Sequence, residues 1–245
     1  MNIRRILPLL SIVLPLFAAA QPAWINDGLV LFEGFEEQYA NFEQVPSGNN
    51  FLGRAGKLNN DSHRFFTEVQ SRNFTLAYWF SGDLQTTAWP EIWNIGGNAC
   101  NEWESIHHFS GPWLNNEPLF RNGAGKSCQN IPASQIMEYG FNKFKHVVAS
   151  YDGDNVMTFF DGVLVDIFKA EQDLVPAALV REFMAGRGGI SGSYDNIRIY
   201  DHALSATEVA QLYEYESTTP TPKPIEEWIN DGLVLFEGFE EQYAN

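Results

Sequence analysis

The stretch Gly192–Tyr213 reads GSYDNIRIYDHALSATEVAQLY, and it joins a strand pattern to the start of a helix. From Asp195 to Tyr200, two isoleucines alternate with an asparagine, an arginine and a tyrosine. Alternation with a period of two residues is typical of a strand that buries one face. This stretch therefore predicts a half-buried strand that is followed closely by a helix.

The second element is a short helix that begins after Ser205. Ser205 and Glu208 have the S-x-x-E spacing of a capping box, in which each side chain bonds the backbone amide of the other residue. Leu204 and Val209 have the spacing of a hydrophobic staple across the same helix start. We expect a helix of about two turns.

Further strand patterns occur along most of the chain. RNFTLAYWF at 72–80 and KHVVASY at 145–151 predict core strands, and EIWNIGG from Glu91 predicts another. The apolar run Leu29–Phe32 predicts an opening strand buried on both faces. Asp161-Gly162 lies between two apolar runs, which is a type I′ hairpin pattern. About a dozen such strands, with no strand–helix alternation, predict two packed antiparallel sheets.

Residues 97–130 interrupt this pattern. The segment is polar and rich in Asn and Gly, and it contains two tryptophans, two histidines and both cysteines. We interpret it as a long functional loop, because loops of this length in a compact domain usually carry function or are disordered.

The closing stretch resembles the end of LamG-like jellyroll domains of the concanavalin A-like lectin/glucanase superfamily. Those domains close with Asp, an apolar-Arg-apolar-Tyr strand, Ala-Leu-Ser and a short helix. The matching residues are Asp195, Ile197, Arg198, Ile199, Tyr200, Ala203, Leu204, Ser205, Glu208 and Tyr213.

The block from Phe144 to Val165 also resembles the family's WHHVA-x-x-YDG … VNGxLV region, with Phe144 for Trp and Asp161 for Asn. The resemblance implies an all-β, two-sheet antiparallel jellyroll sandwich, closed by a short C-terminal helix. We expect this domain to occupy residues 21–216.

The chain carries a formal net charge of −16 over 245 residues. Such an acidic protein is not expected to bind nucleic acid or an anionic membrane by charge. Acidity favours solubility, and acidic loops can also attract Ca²⁺.

Residues 1–20 have the pattern of a signal peptide. Arg4 and Arg5 precede an apolar centre, and Ala18-Ala19-Ala20 forms a small-residue cleavage site. We expect cleavage before Gln21, a secreted protein and no membrane insertion after cleavage, with an uncleaved anchor as the alternative.

The chain has two cysteines, Cys100 and Cys128. In an oxidising compartment the simplest interpretation is a single disulfide, which stabilises a domain by roughly 3 kcal/mol. A metal site is less favoured, because neither cysteine has a C-x-x-C partner.

Residues 217–227, STTPTPKPIEE, predict a semi-rigid Pro/Thr linker. Residues 228–245 then repeat 24–41 residue for residue, at an offset of 228 − 24 = 204. We interpret the second copy as the truncated start of another repeat in a tandem multidomain protein. Alternatively, it exchanges with the first copy as a swapped strand.

Calcium is the cofactor that the resemblance implies, in a structural role. In LamG-like domains a Ca²⁺ site often joins the opening acidic turn to the Asp of the last strand. The matching residues here are Glu36, Asn41 and Asp195. Glu and Asn replace two expected aspartates, which lengthens one ligand and removes one charge.

Carbohydrate binding would use aromatic side chains for stacking and amides to bind hydroxyl groups. The candidates in the 97–130 segment are Asn101, Trp103, His108, Trp113 and Asn115. The alternative is that both tryptophans pack in the core.

A glycosidase needs two carboxylates placed across a cleft, and EIWNIG at 91–96 lacks the second and third acids of an E-x-D-x-x-E string. We therefore expect a non-catalytic module that binds a glycan or an extracellular protein. The alternatives are a glycoside hydrolase or lyase of this fold and a structural adhesin repeat.

Overall fold

The computed structural model describes residues 20–47, 53–67, 73–82, 91–95, 106–114, 117–124, 127–131, 143–169, 181–187 and 191–218. In these ranges lie the strands β1 (Leu29–Glu33), β2 (Glu43–Pro46), β3 (Arg54–Asn59), β4 (His63–Thr67), β5 (Phe74–Gly82), β6 (Glu91–Ile95), β7 (Ile106–Leu114), β8 (Glu117–Ala124), β9 (Ser127–Ile131), β10 (Lys145–Tyr151), β11 (Asn155–Phe160), β12 (Val163–Lys169), β13 (Arg181–Arg187) and β14 (Ser191–Tyr200), and the helix α1 (Ala206–Thr218). In this part of the chain, no helix has both the length and the apolarity needed to cross a membrane.

The strands form two antiparallel sheets. The first sheet has the order β12-β11-β10-β5-β14-β3-β2, and β1 also pairs with β14. β3 pairs with the beginning of β14 and β1 with its end, so both lie along the same edge of that strand. The second sheet has the order β4-β13-β6-β7-β8-β9. The predicted two-sheet sandwich with a C-terminal helix is confirmed.

The interior between the sheets is an apolar and aromatic cluster. Phe74, Leu76, Tyr78 and Phe80 of β5 all belong to it, which confirms the predicted core strand. The second sheet contributes Phe65, Trp93 and Phe183, among others. Burying side chains of this size supplies most of the favourable free energy of folding.

The outer face of the first sheet is also covered. Val209 and Leu212 of α1 pack there against Ala77, Val148 and Phe159, which lie on three different strands. The prediction that β14 is half-buried is therefore wrong, because α1 shields the face that the alternation had assigned to solvent. Arg198, on that face, is only 6% exposed.

The start of α1 has the predicted capping box. The amide of Ser205 donates to Glu208 Oε2 over 2.7 Å, and the amide of Glu208 donates to Ser205 Oγ over 3.3 Å. The helix is longer than the predicted two turns and reaches Thr218, so it includes two residues assigned to the linker. The reason is that Glu216, near its end, is buried against the sheet.

The Asp161-Gly162 hairpin is confirmed, with φ of 48° and 77° at the two turn residues and pairing of Phe160 with Val163. The opening strand β1 differs from its prediction. Val30 is 38% and Phe32 49% exposed, because β1 lies at the edge of β14 rather than inside the sheet.

The interpretation of residues 97–130 as a loop is wrong for much of the segment. β7, β8 and most of β9 lie there and extend the second sheet beyond β6. The Asn and Gly content had disfavoured strands, but pairing with neighbouring strands outweighs that weak intrinsic preference.

Candidate functional site

Asp195 lies at a bulge in β14 and is 1% exposed. Its Oδ2 accepts a hydrogen bond from Ser47 Oγ over 3.1 Å, and its Oδ1 accepts one from the amide of Asn196 over 2.8 Å. Asn196 has a φ of 42°, which breaks the alternation of the strand at this point. The bulge thereby places a buried carboxylate beside an amide side chain.

Burial raises the pKa of Asp195 well above its usual value, although the two hydrogen bonds act in the opposite direction. The nearby carboxylates of Glu216 and Glu36 raise the pKa further by repulsion. Asp195 therefore lies in a site where a cation would be favourable.

Glu36 enters this region from the opening turn. Its Oε1 accepts a hydrogen bond from the amide of Arg54 over 3.1 Å. A side chain at Gly53 would overlap the Glu36 carboxylate, so Glu36 would have to shift to accommodate it.

Asn41, the third predicted calcium ligand, is bound to other residues. Its Nδ2 donates to Asp61 Oδ2 over 2.6 Å and to the Ser62 carbonyl over 3.2 Å, while its Oδ1 lies 2.9 Å from His63 Nδ1. The structure thus brings Glu36 near Asp195 and orients Asn41 towards the β4 segment.

Asn196 is a ligand candidate that sequence reasoning missed. Its side chain is 7% exposed, and its Oδ1 has no hydrogen-bond partner among the described residues. A buried amide oxygen is costly to leave unsatisfied. Asp195, Glu36 and Ser47 also carry oxygen atoms in this region, and oxygen atoms are the ligands that Ca²⁺ takes. In the described part of the chain, no three His, Cys, Asp or Glu side chains form a metal-binding group.

A second buried polar group lies under the end of α1. Glu216 Oε1 accepts a hydrogen bond from Arg198 Nε and Oε2 accepts one from Trp79 Nε1, both over 2.7 Å. His146 Nε2 lies 3.7 Å from Glu216 Oε2. We call these four residues the Arg198–Glu216 cluster.

Sequence reasoning missed this cluster, although one pattern could have revealed it. Val209, Leu212, Tyr213 and Glu216 have the i, i+3, i+4, i+7 spacing of one helix face. An acid on an apolar stripe predicts a buried partner, and Arg198 is that partner. The cluster has a structural role, because it ties the last turn of the helix to the sheet.

The predicted sugar-binding residues and the predicted disulfide lie largely outside the described residues. Asn101, Trp103 and Asn115 of the first set and Cys100 of the second are not described. Of His108, Trp113 and Cys128 the structure describes the backbone, on β7 for the first two and on β9 for the cysteine.

The backbone register separates the two histidines of β7. His108 pairs with Trp93, whose indole is buried in the sandwich interior. His107 pairs with Asn94, which in turn pairs with Met184, next to the exposed Arg64 on β4.

The outer face of the second sheet carries an exposed aromatic side chain that sequence reasoning did not select. Phe66 on β4 is 64% exposed, and Arg64, two residues earlier on the same strand, is exposed too. Phe65 between them is buried in the interior. An exposed aromatic ring with a guanidinium on the same face is a suitable surface for a polar ligand.

Comparison with protein families gives a match to the family Laminin_G_3, of the concanavalin A-like lectin/glucanases superfamily, over residues 53–210. The chain belongs to this family. The match begins at Gly53 and ends within α1, so it includes most of both sheets of this laminin G-type domain. Comparison with curated proteins gave no match.

Solved structures of similar fold include domain 4 of AbnA, a GH43 extracellular arabinanase from Geobacillus stearothermophilus, in complex with arabinotriose. That match has a TM-score of 0.50 and 18% identity, and it covers 75% of this chain and 87% of that one. The binding domain of botulinum neurotoxin DC in complex with SialylT has a TM-score of 0.53 and 16% identity, with coverage of 78% and 52%.

The sialidase of Trypanosoma rangeli has a TM-score of 0.55 and 16% identity, and the match covers 80% of this chain and 34% of that enzyme. This laminin G-type chain thus spans about half of the toxin binding domain and a third of the sialidase. At these identities the likeness establishes the fold.

Proposed function

We propose that this domain is a secreted, non-catalytic recognition module that binds carbohydrate on the outer face of its second sheet. The observation that carries the proposal is Phe66 on β4, which is 64% exposed on the same face as the exposed Arg64.

The chemistry of this face suits a sugar. The C–H faces of a sugar ring pack on an aromatic ring, and a guanidinium can donate hydrogen bonds to hydroxyl groups. Binding sites of this kind combine an apolar surface with a few convergent polar groups.

The structural relatives support a glycan as the partner. Domain 4 of the arabinanase was solved with arabinotriose, and the neurotoxin binding domain with SialylT. The binding domain of botulinum neurotoxin DC was also solved in complex with rat synaptotagmin II, so an extracellular protein is the second partner class.

The experiment is a glycan-array screen of residues 21–245, followed by titration of the best ligand against Phe66→Ala. We expect Kd to rise roughly tenfold, because one stacking surface contributes about 1.4 kcal/mol. Val163→Ala is the matched control, since Val163 is 55% exposed on the other sheet. Equal Kd values for the two variants would contradict the proposed surface.

Two other results would favour the alternatives. Shortened glycans after incubation would favour a glycoside hydrolase or lyase. An array without a ligand, together with binding to cell-surface protein, would favour an adhesin repeat. A companion set, Trp103→Ala, His107→Ala and Trp113→Ala, tests whether the surface extends onto β7 and the segment before it.

We further propose that Ca²⁺ stabilises the domain, bound by Asp195, Glu36 and the Asn196 amide oxygen rather than by Asn41. Bound calcium would neutralise two neighbouring carboxylates and satisfy the buried Asn196 Oδ1. The role is structural, because it fixes the opening turn to β14.

Asp195→Asn tests this site with an isosteric change. For the native chain we expect Ca²⁺ at a hundredfold excess over Kd to raise Tm by about 5–10 °C relative to EDTA. The variant should lose this rise.

In EDTA at pH 7 the Asp195→Asn variant should be as stable as the native chain or more stable. The reason is that the raised folded-state pKa makes ionisation of Asp195 cost stability as pH rises above the unfolded value. An unchanged calcium response in the variant would contradict the site.

A further inference from the structure

The segment that opens the domain occurs twice in the chain. Residues 24–33, WINDGLVLFE, recur as residues 228–237. The first copy is bound to the domain in two parts, a turn at 24–28 and the strand β1. Because the two copies are identical, every contact made by the first is chemically available to the second.

The turn at 24–28 is held by specific contacts. Trp24 Nε1 donates to Gln211 Oε1 on α1 over 2.8 Å, and its ring lies 6.4 Å from that of Tyr200. Ile25 is buried, and its carbonyl accepts a hydrogen bond from the Tyr200 hydroxyl over 3.1 Å. These contacts make a defined receptor site for an incoming WINDG segment.

The strand β1 occupies an edge position in the first sheet. β1 pairs with the end of β14, from Leu29 opposite Tyr200 to Glu33 opposite Ile197, and lies off the main strand order. Val30 and Phe32 are partly exposed. Edge strands of this kind are the segments that exchange most readily.

The second copy lies within reach of this site. Helix α1 continues for seven residues from Gln211, the partner of Trp24, to Thr218, a rise of about 10 Å. The nine residues 219–227 include three prolines and span about 28 Å when extended. Trp228 can therefore reach the position of Trp24 in the same domain.

We propose that residues 228–237 replace residues 24–33 on the edge of β14 in the same chain. The domain would then have one receptor site and two competing copies of its opening strand, and the displaced copy would become available to a neighbouring domain. This proposal is independent of carbohydrate binding.

Gly28 provides a test that separates the two copies. Its φ is 62°, and a side chain there would overlap the Asp201 carboxylate and lie 2.6 Å from His202 Nδ1. Gly28→Val should therefore disable the first copy, and Gly232→Val should disable the second copy in the same way. Each variant is the matched control of the other.

The measurement compares the thermal unfolding of four chains of residues 21–245: native, G28V, G232V and the double variant. We expect G232V to melt like the native chain and G28V to lose roughly 3 °C at most, because the second copy takes over. The double variant should lose roughly 10 °C or more.

Equal melting temperatures for G28V and the double variant, whether high or low, would overturn the proposal. Light scattering after size exclusion should show the rescued G28V chain as a monomer. A dimer would overturn the exchange within one chain, because it would place the second copy on another molecule.

Discussion

Both faces of the central strands β10, β5 and β14 of the first sheet are buried, but the residues that cover them differ in kind. The inner face is apolar and aromatic, with Leu76, Tyr78 and Ile199 among its buried residues. The outer face combines an apolar cluster with the Arg198–Glu216 cluster. The comparison of the two faces shows that the alternating sequence pattern identifies a buried strand face only when the residues on that face are apolar.

The pairing register of the strands places polar residues next to one another on the outer face. His146 pairs with Trp79, and Trp79 pairs with Asp195, so the three lie in one row across β10, β5 and β14. Glu216 reaches this row from the end of α1. The helix therefore docks by a specific hydrogen-bonded charge as well as by its apolar residues.

The largest expected effect comes from breaking the charge pair. Glu216→Ala leaves Arg198 buried without its carboxylate, which costs about 3–5 kcal/mol of unfolding free energy. Urea denaturation measures this loss. As a control, the double variant Arg198→Met/Glu216→Leu should lose much less, because neither charge of the pair is left buried without its partner. Equal losses would mean that the cluster acts only through packing.

The second largest loss of stability is expected from a substitution on the inner face. Leu76→Ala removes a fully buried side chain and should cost about 2–5 kcal/mol through lost burial and the cavity left behind. No second change should restore the loss as the double variant does on the outer face. A cost below 1 kcal/mol would show that the interior repacks around the gap.

The third prediction concerns pH. Burial, together with Arg198, lowers the pKa of His146 from 6.5 to about 3, so the ring is neutral in the folded protein. Because the unfolded chain binds this proton at higher pH, the contribution of His146 to stability falls as pH falls below 6.5. The loss is about 2 kcal/mol between pH 6.5 and 5.

His146→Leu isolates this effect. Asp195 and Glu216, whose pKa values burial raises, act in the opposite direction and are present in both chains. We therefore expect stability of the variant relative to the native chain to increase by about 2 kcal/mol from pH 6.5 to 5. Parallel curves of unfolding free energy against pH would contradict the assignment.

The smallest expected effect is at the start of the helix. Ser205→Ala removes the hydroxyl that accepts from the Glu208 amide and should cost about 1 kcal/mol. Ser205→Asn, which keeps a cap, should cost less. If both substitutions cost the same, α1 is held by its docked face alone.

Several features of the fold could be predicted because they depend on near neighbours in sequence. The hairpin at Asp161-Gly162 requires only two residues that tolerate positive φ, and the capping box requires only Ser205 and Glu208. The strand β10 was predicted over the residues it occupies, since KHVVASY is apolar enough to specify a buried strand.

Other features could not be predicted because they depend on pairing between distant residues. The strands β7 and β8 each contain a glycine and a proline, which disfavour strands, and they are strands because β6 and β9 pair with them. In the candidate calcium site, Glu36 and Asp195 were predicted together, but Asn41 is bound by Asp61 and His63. Asn196 became a candidate because its buried Oδ1 has no hydrogen-bond partner among the described residues.

The sequence by itself determined the sheet class, the closing strand and helix, the repeated opening segment and the family resemblance. Each of these depends on residue identities within a short window, where propensity and spacing act directly. The tertiary structure decided which strand faces are covered, that Arg198 contacts Glu216, and that β1 lies along the edge of β14. Those outcomes depend on contacts between segments that are distant in sequence, and a local sequence pattern does not indicate which of these contacts form.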